Sequence, residues 1–594
     1  MPPSKEPPAR CDAKRLLLCF GIIACVTWLA FSPSLANGFT HWDDNVYVLD
    51  NLDIRAFTLK NVSRIFSSSY GAGYQPLTML SYMVDHHFFG ENPKAYHTTD
   101  LILHVTNGLL VFSLMLRLSR RCGTSLLVSL LFAVHPLRVE SVAWIAERKD
   151  VLSAFFYLLS LLFYVAHTEE RRPRYYWLCL LALLFSLLSK PIAVTQPLVL
   201  LLIDYLFHRK LDKKAVLAKT PFFVAVSIFA VITFLAQETA RAIAEYAAIP
   251  ILQRLCIPFY GLVFYIVKTL VPVRLCALYP LPPQHPGGTI FVLYVAPLLV
   301  LGGAVALYRF RAHSRVLVFG FLFYVVTLLP VLQIVPFGHA IAADRFTYIP
   351  LLGPCLVLAK LCQFLFERTL STSSARGMLG IGLGGTIVVL ANITHHRCGV
   401  WKDRFSLWND VISKYPSAAA YNHRGAAYLI QGMYDRAIED LNQAIRLAPR
   451  YFEAYDNRGI ARTFQGDYGL AIADHTKAIE LNPKDALAYN DRALAYLHQR
   501  ELARAGADLD SAIRLKPTAA AHRNRGIIRN AMGRYRRAIE DFGESARLDP
   551  EHRATYFHRG LSHEATGNRD LALGDFRRAC ALGHHAACRR LGRK

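Results

Sequence analysis

The sequence has no CxxC pair and no grouping of cysteine and histidine at zinc-site spacing, although it carries 12 cysteines and 22 histidines. That removes the zinc-ribbon and zinc-finger readings. Acidic residues are in short supply, 43 against 67 Lys and Arg, for a net charge of +24. Such a balance fits nucleic acid, anionic lipid or an acidic ligand. No recognised nucleic-acid-binding fold and no basic groove interleaved with aromatics accompanies it, so nucleic acid is not an expected partner. Charge is missing altogether from long stretches. Uncharged apolar runs fill residues 15–396, while the remainder reads as an ordinary soluble helical protein, and 53% of the whole chain is hydrophobic. Two domains in two different solvents are expected.

The apolar runs are about long enough to cross a bilayer, and a backbone crossing lipid satisfies its own hydrogen bonds as helix. Expected spans lie at 15–33, 99–118, 123–136, 149–167, 174–189, 191–207, 218–236, 289–308, 314–332, 349–367 and 377–396. Lys5, Arg10, Lys14 and Arg15 ahead of the first run give it the charge pattern of a signal peptide, and it is read as an uncleaved helix. Basic clusters in short loops mark the cytoplasmic side. They are Arg117/Arg120/Arg121, Arg171/Arg172/Arg174, Arg209/Lys210/Lys213/Lys214, Arg309/Arg311/Arg315 and Arg368. Eleven spans keep all of them inside, which makes a twelfth run, 252–271, re-entrant or interfacial. Residues 34–98, the loop after His135, 272–288, 333–348 and everything after 396 then lie outside, in a periplasm or an endoplasmic reticulum lumen.

From residue 418 the chain repeats. Ala420-Tyr421-Asn422-His423-Arg424-Gly425 is echoed by Ala454-Tyr455-Asp456-Asn457-Arg458-Gly459 and by Ala488-Tyr489-Asn490-Asp491-Arg492-Ala493, then by Arg525-Gly526 and Arg559-Gly560. Pro449, Pro483, Pro517 and Pro550 close successive units at spacings of 34, 34 and 33. A 34-residue period with small residues at helix contacts is the tetratricopeptide (TPR) signature. Gly425 and Gly459 are expected where two helices approach, opposite Ala437 and Ala444. Such arrays form a concave surface for peptides or proteins, or serve as an assembly platform. The last hairpin, with Cys580 and Cys588, departs from the repeat and resembles a Sel1-like ending. In an oxidising compartment these two can pair; two ordinary cysteines is the other reading.

The outside loops carry the chemistry. The first opens with Trp42-Asp43-Asp44, an acidic pair that packing does not require; a solvated turn is the plain alternative. Gln75-Pro76-Leu77-Thr78, His135-Pro136-Leu137-Arg138-Val139-Glu140, Glu147-Arg148-Lys149-Asp150, Ser189-Lys190-Pro191 and Ala343-Asp344-Arg345-Phe346-Thr347-Tyr348 add ionisable groups at the mouths of spans. Such groups at membrane depth are costly and read as functional. Cations facing one compartment beside an Asp pair suggest a site for a lipid-linked phosphate, with a carboxylate as base. Against this, Lys190 and Arg148 can simply snorkel to the interface, His135 before Pro136 can cap a helix, and Asp204 beside Arg209 can be a structural pair.

At these boxes, together with Leu278-Tyr279-Pro280 and with Trp401 and Trp408 ahead of the repeats, the chain resembles the TMTC proteins and their bacterial relatives. Those join a polytopic GT-C-type glycosyltransferase module to C-terminal TPRs. The resemblance implies an all-α protein, with a membrane module over 1–398, a linking helix over 399–417 and a TPR superhelix over 418–594. It implies protein O-mannosyl transfer from a polyprenyl-phosphate sugar, with dolichyl or undecaprenyl phosphate as carrier and polypeptides as acceptors held in the TPR groove. The base is then Asp43 or Asp44. Arg345, Lys190, Arg148, Lys149 and His135 hold the donor phosphate, and Gln75, Glu140, Tyr279 and Asp344 complete the site. No metal ligand is assigned and no cofactor is established by these residues, with a divalent metal left open. The chain departs from the family at Gln75, where relatives often carry Arg, which removes one phosphate cation. A non-catalytic membrane scaffold and a transporter of lipid-linked sugars are the competing readings.

Overall fold

A computed structural model describes residues 12–71, 73–207, 211–239, 250–280, 288–310, 314–334, 340–369 and 373–592; Lys5, Arg10, Arg209, Lys210 and Arg311 lie outside them. The chain divides at a short Tyr-Pro-Ser step into Met1–Tyr415 and Pro416–Lys594.

In the first unit the apolar runs become helices: α1 (Ala13–Phe31), α2 (Leu59–Ser67), α3 (Pro76–Phe89), α4 (Pro93–Ser119), α5 (Cys122–Val134), α6 (Val139–Ala143), α7 (Arg148–Glu170), α8 (Pro173–Ser189), α9 (Gln196–Leu206), α10 (Lys213–Leu217), α11 (Thr220–Thr239), α12 (Ile251–Leu270), α13 (Gly288–Phe310), α14 (Arg315–Leu328), α15 (Leu352–Phe364), α16 (Ser373–Cys398) and α17 (Arg404–Lys414). Among the described residues, six segments are long and apolar enough to cross a membrane: Ala13–Ala36, Pro93–Ser119, Ile145–Glu170, Ile251–Leu270, Phe291–Arg309 and Ser373–Trp401. The chain is therefore a multi-pass membrane protein by its helices. The remaining expected spans are shorter or broken, and proline breaks two of them. Pro136 ends α5 and bends the pair Cys122–Val134 and Pro136–Ala143 by 54°, and Pro191 stops α8 at Lys190. The residue before proline is pushed out of the α region.

Ile251–Leu270, read from charge counting as re-entrant or interfacial, is an unbroken 20-residue helix and passes as a span by length and composition, with Pro258 inside it. Charge counting alone therefore no longer fixes which side the last helices reach. Packing within the unit defines the two ends instead. At one end Arg117 pairs with Glu169 (2.7 Å), Arg121 with Glu367 (2.8 Å), and Arg315 donates to the Tyr205 carbonyl (3.4 Å). At the other, the Asn37 amide donates to Cys398 O (2.9 Å) and Gly38 N–H to Lys402 O (2.9 Å), which ties the loop after α1 to the end of α16. A two-stranded pair, β1 (Tyr279–Pro280) with β2 (Ala340–Ala342), joins two further loops. Between these ends α14 and α15 cross at Gly320 and Gly353, where a Cβ on either glycine would meet the other's carbonyl oxygen. Small residues let membrane helices approach this closely.

The second unit is five helical hairpins, α18/α19 (Ala418–Ile430, Tyr434–Leu447), α20/α21 (Phe452–Gln465, Tyr468–Leu481), α22/α23 (Ala486–His498, Leu502–Leu515), α24/α25 (Ala519–Ala531, Tyr535–Leu548) and α26/α27 (Arg553–Ala565, Arg569–Ala581), closed by α28 (His585–Leu591). The small residue of each first helix faces one large residue of the second: Gly425 meets Leu441, Gly526 meets Phe542 and Gly560 meets Phe576. In the second hairpin the large residue is His475 against Gly459. Each hairpin is clasped by an Arg–Asp pair sixteen residues apart, beginning with Arg424–Asp440 (2.7 Å) and Arg458–Asp474 (2.7 Å). The turns use glycine at positive φ at 432, 466, 533 and 567; the third uses Arg500 at φ 61°. Cys580 and Cys588 form a disulfide.

Candidate functional site

Three proline breaks and one sharp loop build the site. The loop after α1 turns at His41, a non-glycine residue in the left-handed region (φ 55°), whose Nδ1 lies 2.9 Å from Asn45 Oδ1. Such strain persists where the surroundings over-determine the backbone. On one side Trp42 stacks on Trp144 (4.6 Å, 15°) and meets Trp408 edge-on, and Trp144 stacks in turn on Trp401 (5.2 Å). On the other, Asp44 is buried and fully used. One of its oxygens accepts from the Thr40 N–H (2.7 Å) and hydroxyl (2.8 Å), the other from the Ala146 N–H (3.1 Å). Asp43, held between these two anchors, lies in the field of Lys149, Glu147 and Arg345. Burial raises its pKa, with Lys149 and Arg345 pulling the other way and Glu147 adding to the rise. Burial raises Asp44 too, against its three hydrogen bonds.

Beside Asp43 is a network of carboxylates and cations. Lys149 Nζ lies 3.1 Å from Glu147, Lys190 Nζ 3.1 Å from Glu147 and 2.6 Å from Asp150, and Arg345 Nε 3.4 Å from Glu147. The Arg345 guanidinium also pairs with Glu140, whose second oxygen accepts the Arg345 N–H at 2.9 Å. Burial works against the charge of Arg345, yet Glu140 and Glu147 hold its pKa well above the usual range. Lys149 sits over the Tyr47 ring at 4.6 Å. Among the described residues no three His, Cys, Asp or Glu side chains are arranged to hold a metal ion.

Of the residues singled out in the sequence, the structure brings Asp43, Lys149, Lys190, Arg345 and Glu140 together. Arg148 goes elsewhere. It follows Glu147 into α7 and precedes Lys149, so helical phase turns it to the opposite face. There it is fully buried and bound by Asp100 (2.6 Å), Asp85 (2.7 Å) and the Tyr96 carbonyl (2.9 Å). His135 is a cap rather than a phosphate ligand: its Nδ1 accepts the Leu137 N–H (3.2 Å) and its Nε2 donates to Thr269 O (3.0 Å). Gln75 is buried at the start of α3, its amide nitrogen without a hydrogen-bond partner among the described residues. The next turn ties that helix to the Lys190 loop through Thr78 Oγ1 and Ser189 O (2.9 Å). Asp204 takes the Tyr164 hydroxyl and Lys219, and its expected partner Arg209 lies outside the described residues.

Tyr279 and Asp344 form a second network. The Tyr279 hydroxyl donates to Asp344 (2.8 Å), Arg397 bridges Asp344 (3.7 Å) and Asp410 (3.5 Å), and Lys414 holds Asp410 (2.5 Å). Burial pushes the Asp344 carboxyl up to about 6, against the pull of Arg397 and the Tyr279 hydroxyl. This network fixes the chain immediately before Arg345. The site residues not singled out from sequence are Glu147, Asp150 and Trp144. Glu147 and Asp150 stood in the same acidic-basic box, and the three-residue spacing that puts them on one helical face was the available signal.

Residues 418–451, 457–520 and 524–587 match the family described as tetratricopeptide repeat. The chain is similar to curated proteins named protein O-mannosyl-transferases. The human TMTC1 is 25% identical over 73% of this chain and 55% of its own length, and the Caenorhabditis elegans F38B6.6 is 25% identical over 65% and 55%. The human TMTC4 is 32% identical over 25% of this chain and 23% of its own. The chain thus spans about half the length of the curated relatives it matches. A crystal structure of MamA, 26% identical, covers 27% of this chain and 96% of its own with a TM-score of 0.25.

Proposed function

We propose that this membrane unit transfers a mannosyl group from a polyprenyl-phosphate donor to serine or threonine hydroxyls of proteins, with Asp43 as the base. The observation that carries the reading is the division of labour in the acidic pair. Asp44 has both oxygens committed to Thr40 and Ala146, while Asp43 faces Lys149 and Arg345. A raised pKa suits a carboxylate that must take a proton. In this reaction the acceptor oxygen forms its bond to the sugar's anomeric carbon as Asp43 takes the hydroxyl proton. The bond from that carbon to the phosphate oxygen breaks, and the electron pair leaves with the polyprenyl phosphate. Lys149, Lys190 and Arg345 face the charge that develops there. The curated homologues' names support the mannosyl group and the protein acceptor.

The TPR array, joined to α17 through the three residues Tyr415, Pro416 and Ser417, serves in this reading as the acceptor's binding surface, on the outer face of a bacterial inner membrane or in the endoplasmic reticulum lumen. The Cys580–Cys588 disulfide fits either oxidising compartment. Purified full-length protein given labelled polyprenyl-phosphate mannose and a Ser/Thr peptide should label the peptide; no label above background sinks the reading. One observation favours a non-catalytic scaffold instead. Every cation at the site is already paired with a carboxylate. A scaffold retains its partners through the array whatever stands at position 43.

A further inference from the structure

Four carboxylates, Asp43, Glu140, Glu147 and Asp150, share this cluster with three cations, Lys149, Lys190 and Arg345. They are not equivalent. Asp150 pairs with Lys190, Glu140 pairs with Arg345, and Asp43 lies in the field of Lys149. Glu147 alone touches all three cations, one oxygen 3.1 Å from Lys149 Nζ and 3.4 Å from Arg345 Nε, the other 3.1 Å from Lys190 Nζ. Take Glu147 away and each cation still has one carboxylate beside it. Glu147 is the surplus anion, and its carboxylate marks a point where three positive charges converge on one small oxyanion.

Access runs the right way for a visitor. The side chains of Lys149, Lys190 and Arg345 are 11%, 16% and 19% exposed, against 2% for Glu140 and Glu147 and 3% for Asp150. An anion arriving from the open side meets the cations first. Two lysine point charges and a planar guanidinium are the usual grip on a phosphate.

We infer that the Glu147 carboxylate stands in the place of a phosphate oxyanion, which displaces it on binding while Asp150, Glu140 and Asp43 keep the three cations in position. Glu147 ends the one-turn 3-10 segment Ile145–Glu147, one residue ahead of α7. The inference deepens the donor reading of this cluster and rests on it for the lipid carrier. The phosphate itself has two sources, a polyprenyl phosphate or free inorganic phosphate.

The test is binding, without transfer. Purified full-length parent, Glu147→Gln and the double variant Glu147→Gln with Arg345→Ala are titrated with a short-chain polyprenyl phosphate and, separately, with inorganic phosphate. Glu147→Gln is expected to bind polyprenyl phosphate roughly 5- to 150-fold more tightly than the parent, the range of an ordinary coupling between groups at one site. The double variant is expected to lose that gain. A gain for the lipid alone assigns the position to the membrane-borne carrier, and an equal gain for inorganic phosphate supports a general phosphate position. Unchanged or weaker binding by Glu147→Gln, or a gain that survives Arg345→Ala, overturns the inference. If Glu147→Gln does not fold, the parent decides: bound polyprenyl phosphate should slow acetylation of Lys149 and Lys190, and unprotected lysines overturn it equally. A protein that binds in this way but transfers nothing removes the transferase reading and leaves the phosphate position standing. An active protein with unchanged Glu147→Gln binding does the reverse.

Discussion

Alanine at position 44 and alanine at position 43 should part company in stability. Asp44 accepts three hydrogen bonds in a buried setting, and its loss strands the N–H groups of Thr40 and Ala146; the Thr40 hydroxyl can turn elsewhere. Each stranded buried donor costs about 1–3 kcal/mol. Part of that is returned, because burial already disfavours the charged Asp44. A net loss of about 2–4 kcal/mol remains. At about 2.1 cal/mol/K of unfolding entropy per residue, a unit of this size loses about 2–5 °C in its midpoint. Asp43 has a raised pKa from burial and sits opposite Glu147, so its removal should change stability by no more than about 0.5 kcal/mol. Thermal unfolding in detergent, followed by tryptophan fluorescence, is well placed to see this. Trp42, Trp144, Trp401 and Trp408 are packed around this loop and make four of the six tryptophans in the chain. If Asp43→Ala lowers the midpoint as far as Asp44→Ala does, the division of labour between the two carboxylates is wrong.

Three further outcomes follow from the packing. Gly353→Ala places a methyl against the Gly320 carbonyl and Tyr324, so it should cost about 1–3 kcal/mol and lower the unfolding midpoint; an unchanged midpoint refutes the close crossing of α14 and α15. Arg500→Gly should stabilise the third hairpin by about 1 kcal/mol, seen as slower hydrogen exchange in α22 and α23, because the turn holds a φ of 61°; faster exchange contradicts it. The Asp491 carboxyl is pushed up to about 6 by burial, with Asp456 adding and His475 opposing. Its folded pKa lies above the unfolded value, so its contribution is fully present below about pH 4 and lost as pH rises through 6. Asp491→Asn should therefore protect α22 from exchange above pH 6 by about 1–2 kcal/mol and make no difference near pH 4; the opposite pH trend would falsify the assignment.

The array was legible because its signal is periodic. A 34-residue repeat with glycine or alanine at one position needs no partner from elsewhere in the chain to be recognised. The membrane helices were legible as apolar runs, and the site was legible as boxes because Gln75-Pro76, His135-Pro136 and Lys190-Pro191 announce helix breaks. Beyond that, tertiary partners decided. Nothing near Arg148 in sequence reveals that Asp85 and Asp100, on α3 and α4, take it out of the site and leave Lys149 in it. Nothing in Asp43-Asp44 says which one Thr40 and Ala146 consume. Charge counting gave 252–271 no crossing because it weighed only the short loops, while the run itself is long and apolar enough to be a candidate span.

The account stands most directly on the rate of mannosyl transfer with Asn at 43 and, separately, at 44, each normalised to folded protein at saturating donor. Loss of a general base costs roughly 100- to 10,000-fold, so Asp43→Asn should fall by that much while Asp44→Asn keeps a measurable share of parent activity. The reverse order, or equal loss in both, contradicts the assignment of Asp43 as the base.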